Sequence, residues 1–230
     1  MTRSHARIGG VHQEAERTAS MAIDKLYIVG LTGNIATGKS QVLGILAELG
    51  AYVVDADQRV HRLLRPGTTV HREVVAAFGP EILDEMGEID RRHLGAQVFT
   101  DPLALRRLEH IIHPAVIEDV QEELREVAKA GWHRVAVVEA IKLIESGLAD
   151  ELCDELWVVH ALPEQQVARL IETRDMTQEE ACQRIASQPP QEEKEARAGW
   201  IIDNTGSLDD TRRQLETAWA RLLSRLEEEE

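Results

Sequence analysis

The octapeptide Gly33-Asn34-Ile35-Ala36-Thr37-Gly38-Lys39-Ser40 has the spacing G-x-x-x-x-G-K-S and follows an apolar run, Leu-Tyr-Ile-Val, at 26–29. A run of that kind reads as a buried parallel strand, and strand, glycine loop and helix in that order form a phosphate-binding loop. The two glycines let the backbone curl into a nest of inward-pointing N–H groups, to which the following helix adds its positive end. Lys39 supplies a full charge for the β- and γ-phosphates. Ser40 places a hydroxyl in the first helical turn, where it can hold a magnesium ion bridging those phosphates. A glycine-rich turn with no ligand would share the pattern. The flanking strand and the helix at 41–49, apolar at Val42, Ile45, Leu46 and Leu49, favour nucleotide binding with Gln41 at the loop's edge.

Strand and helix patterns alternate through the rest of the chain. Further strands read at 51–54, 134–138, 156–159 and 200–202, which predicts a doubly wound, five-stranded parallel sheet. Between the second and third strands, residues 60–132 read as helical throughout, with Leu103, Leu108, Ile111, Ile112, Val116, Val120, Leu124 and Val127 near helical spacing. Pro102 and Pro114 suit first-turn positions. This insertion either covers an acceptor substrate or only packs on the sheet. Residues 208–226 form one more amphipathic helix, and 227–230 a solvated acidic end.

The 230 residues suit one α/β domain, at 25–226, with an inserted helical part rather than two independent domains. A hydrophobic fraction of 43% with only 3% aromatics implies an aliphatic interior of the kind a parallel sheet uses. The net charge of −15 argues against a broad nucleic-acid surface, because phosphate neutralisation dominates such binding. No stretch approaches the roughly 20 apolar residues of a membrane helix, and a cytoplasmic protein is expected. Residues 1–24 are polar, lack periodicity and contain a second candidate start at Met21, and read as a disordered extension. Cys153 and Cys182 stand apart from any C-x-x-C pattern, which fits a reducing compartment and two core thiols rather than a zinc site.

Ligands of open parallel sheets sit at the carboxyl ends of strands, so Asp55-Ala56-Asp57, directly after the second strand, should lie beside the loop. Phosphoryl transfer to a hydroxyl calls for a carboxylate that accepts the proton and orients the attacking oxygen. One of this pair can serve, and either could instead cap the next helix. Glu139, ending the third strand, could hold magnesium or form an ion pair with Lys142 or Arg134. Arg169, Arg174 and Arg184, with Lys194 and Arg197 beyond, lie between the fourth and fifth strands at 163–198. A mobile cover there would use guanidiniums to neutralise charge on the transferred group. On a plain surface helix they would pair with Glu172, Glu179 or Glu180.

These residues together resemble one family. Over 27–223 the chain is similar to dephospho-coenzyme A kinases. The likeness rests on G-L-T-G-N-I-A-T-G-K-S at 30–40, V-V-D-A-D at 53–57, I-D-R with V-F within 89–99, and L-E-H-I-I-H-P at 108–114. It continues in L-I-E at 143–145, P-E-Q-Q-V-A-R-L at 163–170, R-I-A-S-Q at 184–188 and I-I-D-N-T-G at 201–206. The resemblance implies a P-loop kinase fold of the nucleoside and nucleotide kinase kind, three layers deep, with a helical acceptor-binding insertion at 60–132 and a helical lid at 163–198. It implies transfer of the γ-phosphoryl group of ATP to the ribose 3′-hydroxyl of dephospho-coenzyme A, the last step of coenzyme A biosynthesis. Asp57 would be the base, Lys39 and loop residues 33–41 the phosphate cradle, Ser40 and Glu139 the magnesium ligands, and Arg169 the catalytic arginine. Asn204 lies where related kinases contact adenine. The Ile112-His113-Pro114 turn would help form the acceptor pocket, unless His113 is simply a helix-start residue bonded to backbone.

The chain departs from the family pattern in places. Asn34 and Ala36 stand where glycines are usual, Glu139 where an aspartate is usual, and Ile141-Lys142-Leu143 where proline-leucine-leucine is usual. Thr173 occupies the place of the second lid arginine, with Arg174 one later. A kinase for a nucleoside or nucleotide would share loop, sheet and cover. A regulatory switch would need N-K-x-D and D-x-x-G motifs, which do not occur as a pair in suitable positions.

Overall fold

The computed structural model describes residues 26–228. The expectation of disorder at 1–24 lies outside them, as do the last two residues of the acidic end.

Five parallel strands form one sheet in the order β2-β3-β1-β4-β5. They are β1 (Tyr27–Thr32), β2 (Tyr52–Asp55), β3 (Val135–Glu139), β4 (Glu155–His160) and β5 (Trp200–Asp203). The chain leaves the central strand β1 toward β2 and β3 on one side and later crosses to β4 and β5 on the other. The carboxyl end of β1 is therefore the switch point where such sheets bind ligands. The predicted five-stranded parallel α/β fold is the one observed. Each strand runs one to a few residues beyond its apolar stretch because the ladder continues into polar strand ends: Leu31 registers with Glu139, and Glu139 with Asp55.

Alternation along the strands divides the core. Ile28, Val54, Ala136, Val138, Leu156 and Val158 face one side, while Val29, Leu31, Val135, Val137, Trp157 and Val159 face the other. Both faces are covered, which is why the strands read as continuous apolar runs. Behind the second face lie α1 (Lys39–Glu48) and α10 (Leu208–Glu228), contributing Val42, Ile45, Leu46, Leu215, Trp219 and Leu222. The last helix includes Glu227 and Glu228, so the acidic end begins inside it rather than after it.

The first face is covered by the insertion: α2 (Ala56–Leu63), α3 (Thr69–Phe78), a 3₁₀ turn (Pro80–Ile82), α4 (Arg91–Thr100) and α5 (Pro102–Ala130). It is not helical throughout. Leu83 and Ile89 form an antiparallel bridge around a turn in which the Asp84 carboxylate accepts the Met86 and Glu88 amides. Pro102 occupies the first turn of α5 under an Asp101 cap, as predicted, but Pro114 lies inside that helix. The helix runs through the proline because its buried stripe, Ile112, Val116, Val120, Leu124 and Val127, continues on both sides of it. Packing outweighs the lost backbone bond. Arg59 ties α2 to α5 through Asp119 and Glu123. The remaining helices are α6 (Leu148–Leu152), α7 (Pro163–Arg174), α8 (Gln178–Ala186) and α9 (Gln191–Glu195).

Cys153 is half-buried, with burial pushing its thiol up to about 12. Cys182 is exposed on α8 and is not a core residue. Its helix packs a single narrow face through Ala181, which leaves the adjacent position in solvent.

Candidate active site

The loop between β1 and α1 is shaped by three backbone constraints. A Cβ on Gly33 would meet the Val159 carbonyl oxygen at 2.6 Å, and one on Gly38 would meet Asn204 Nδ2 at 2.0 Å with φ at +99°. Ala36 adopts φ 59°, a left-handed conformation that costs a residue with a side chain about 1 kcal/mol. Asn34, the other non-glycine, is outside the left-handed region. Helix α1 starts from Gly38 without a side-chain cap, an end at which an anion is favoured, although the Gln41 amide already donates to the Gly38 carbonyl at 3.0 Å.

Lys39 is 8% exposed, and its ammonium donates to the carbonyls of Gly33 at 3.0 Å and Asn34 at 3.3 Å, 3.8 Å from the Glu139 carboxylate. Burial lowers its pKa, with the charges of Glu139 and Asp57 opposing. Ser40 and Gln41 are exposed at the mouth of the loop.

The helix start gives the two aspartates different surroundings. Asp55 is the N-cap of α2, accepting the Gln58 amide at 2.9 Å. That places Asp57 in the first turn, where its Oδ2 accepts the amide of Ile141 at 3.2 Å. Burial raises the Asp57 pKa and the charge of Asp55 adds to it, while the Ile141 amide, Lys39 and His61 pull it back.

Glu139 pairs with Lys39 rather than with its sequence neighbours; Lys142 is bonded to Glu109 and Arg134 lies near Glu227. Burial, aided by the charges of Asp57 and Asp55 against that of Lys39, pushes Glu139 up to about 7. This end of the sheet thus holds carboxylates that its lysine does not fully compensate. A divalent cation would relieve that excess, so the donor set fits one. No group of three or more His, Cys, Asp or Glu able to hold a metal occurs among the described residues. An ion held here would take most of its ligands from water and phosphate oxygens.

Arg169 lies across the loop, donating to the carbonyls of Ala36 at 3.0 Å and Asn204 at 3.1 Å. Arg174 ends α7, exposed to solvent, with its charge among those depressing Lys39, so both are near the phosphate loop. Arg197 pairs with Asp150 and does not join them. Asn204 is 3% exposed, with its amide donating to the Thr37 carbonyl at 2.8 Å and accepting from the Thr211 hydroxyl at 2.8 Å. Its side chain buttresses the loop from within the protein.

The amides of Asn34 and Ile35, read from sequence as part of the phosphate cradle, also turn inward. They donate to the side chains of Gln191 at 2.9 Å and Gln188 at 2.7 Å. The sequence assigns these glutamines no task; their signal is the R-I-A-S-Q motif that ends on Gln188 and the two prolines that follow it. His113 is mid-helix, not a helix start. It is half-buried on the side of α5 that bears Glu109, with burial depressing its pKa and Lys142 adding to the effect. The insertion therefore both packs on the sheet and reaches the carboxyl end of β3.

The family model for dephospho-CoA kinase matches residues 27–210. A dephospho-CoA kinase from Geobacter sulfurreducens is 46% identical over 196 residues, covering 85% of this chain and 98% of its own. A solved structure from Thermus thermophilus is 36% identical with a TM-score of 0.74, covering 86% of this chain and 98% of that one. The dephospho-CoA kinase from Campylobacter jejuni is 28% identical with a TM-score of 0.62 over 85% of this chain and 96% of its own.

Proposed function

This chain belongs to the dephospho-CoA kinase family, and from that premise we propose how its residues divide the work of the reaction. The enzyme transfers the γ-phosphoryl group of ATP to the ribose 3′-hydroxyl of dephospho-coenzyme A, giving coenzyme A and ADP. The observation that carries the assignment of roles is the meeting of Lys39, Asp57 and Glu139 at the carboxyl ends of β1, β2 and β3, beside the phosphate loop.

Residues 36–41 present the phosphate cradle, through the uncapped start of α1 and the Lys39 ammonium. Asn34 and Ile35 frame that cradle. The Asp57 carboxylate accepts the proton of the 3′-hydroxyl as its oxygen bonds to the γ-phosphorus and the bond from phosphorus to the β,γ-bridging oxygen breaks, releasing ADP. Ser40 and Glu139 would hold magnesium, which when bound supplies positive charge to the phosphate oxygens. Arg169 fixes the loop's strained Ala36 carbonyl and, with Arg174, adds positive charge beside the transferred group. The cover spans 163–198 and the acceptor-binding insertion 60–132 within a domain at 25–226.

No helix among the described residues is long and apolar enough to cross a membrane. The unpaired cysteines at 153 and 182 support a cytoplasmic location, and the charge of −15 a small-molecule substrate rather than nucleic acid. The test is ADP release from magnesium-ATP with dephospho-coenzyme A as acceptor, against AMP, uridine and no acceptor. Release with dephospho-coenzyme A alone is expected; release with AMP or uridine would transfer the assignment to a nucleotide or nucleoside kinase.

A further inference from the structure

Helix α9 is five residues long, yet it touches both halves of the reaction centre. Gln191 accepts the Asn34 amide at 2.9 Å through Oε1 and donates to the Val159 carbonyl at 3.0 Å through Nε2, holding the first half of the phosphate loop against the end of β4. The hold is reinforced just upstream: Gln188 accepts the Ile35 amide, and Asn34 Nδ2 donates to the Pro189 carbonyl at 3.0 Å.

One turn along the same helix, Lys194 is 3% exposed and donates to the Ile141 carbonyl at 2.8 Å and the Glu145 carboxylate at 2.9 Å. Ile141 is the residue whose amide holds Asp57. Thr32, the last residue of β1, donates to the carbonyls of Ala140 at 2.8 Å and Ile141 at 3.3 Å. The turn that carries the Asp57 contact is thus fixed on one side by β1 and on the other by Lys194. A buried ammonium is an expensive way to fill space. Here it grips one particular backbone carbonyl.

We propose that Gln191 and Lys194 are positioning residues which, from one rigid turn of helix, set the separation between the phosphate loop and the Ile141 peptide that aims Asp57. The inference rests on Asp57 acting as the base. Neither side chain needs to touch a substrate. Each acts through a backbone group, and an error of about 1 Å in such a separation costs on the order of a hundredfold in rate.

Steady-state kinetics of Gln191→Leu and of the paired variant Lys194→Met with Glu145→Gln test it; the second substitution in the pair avoids a stranded carboxylate. In folded protein, kcat is expected to fall about 10- to 100-fold while KM for ATP and for dephospho-coenzyme A stay within about threefold. A merely structural role would lower the active fraction in proportion to lost stability, which the melting transition reports independently. In an Asp57→Asn background the Lys194 pair should cost less than about threefold more, because the group it aims is gone. Values of kcat within about threefold of the parent, a loss carried in KM, or full additivity with Asp57→Asn would each overturn the proposal. Should the paired variant fail to fold, Gln191→Leu decides alone. Near-normal turnover in Asp57→Asn itself would remove the base, an outcome distinct from near-normal Gln191 and Lys194 variants beside an inactive Asp57→Asn.

Discussion

Asp57 receives the amide of Ile141 at 3.2 Å, a contact that joins the first turn after β2 to the turn after β3 and fixes the carboxylate beside Lys39. It exists because Asp55, two residues earlier, occupies the cap of α2 and leaves Asp57 inside the helix. One acid caps the helix, and the other turns its carboxylate to the Ile141 peptide.

Stability should carry a pH signature from Glu139. Its folded-state pKa of about 7 lies above the ordinary 4.5, so between those values the folded protein binds more protons than the unfolded chain and stability falls as pH rises. Above pH 7 the penalty is about 3 kcal/mol. Glu139→Gln, in protein without nucleotide or metal, should raise the melting temperature at pH 8 and lose that advantage below pH 5. Urea midpoints at both pH values check it; equal gains at both would contradict the charged, buried glutamate described.

The loop glycines and near-glycines should respond oppositely. Ala36→Gly releases a left-handed residue from its Cβ and is expected to stabilise by up to about 1 kcal/mol. Gly38→Ala would drive a Cβ into Asn204 and should lower both stability and ATP affinity. Denaturant midpoints with and without ATP measure the pair.

The two lid arginines should separate. Arg169→Lys loses the forked hold on the Ala36 and Asn204 carbonyls and should raise KM for ATP as well as lower kcat. Exposed Arg174 does no such holding. Arg174→Ala should lower kcat about 10-fold or more with little change in melting temperature. An unaltered kcat would remove Arg174 from the reaction.

The fold was legible because its strands are apolar on both sides and its loop has a fixed spacing; Val135, Ala136, Val137 and Val138 can hardly be read otherwise. Lys39 and Ser40 follow from the loop alone. What stayed hidden depends on contacts far apart in sequence. Apart from the family resemblance, nothing local distinguishes Asp55 from Asp57 until the helix start is known, and Pro114 mimics a first turn although the apolar stripe at helical spacing runs past it on both sides. The tasks of Gln188, Gln191 and Lys194 are defined by carbonyls and amides on other elements, which carry no side-chain signature at all. Arg174, one position off the family pattern, ends α7 just before the left-handed Asp175, with its charge among those acting on Lys39.

The most direct test of the central claim is single-turnover transfer to dephospho-coenzyme A by Asp57→Asn, with ATP affinity measured on the same protein. Loss of at least about 100-fold in the transfer rate, with ATP binding retained within about threefold, is the expected result; transfer near the parent rate would show that the proton of the 3′-hydroxyl goes elsewhere.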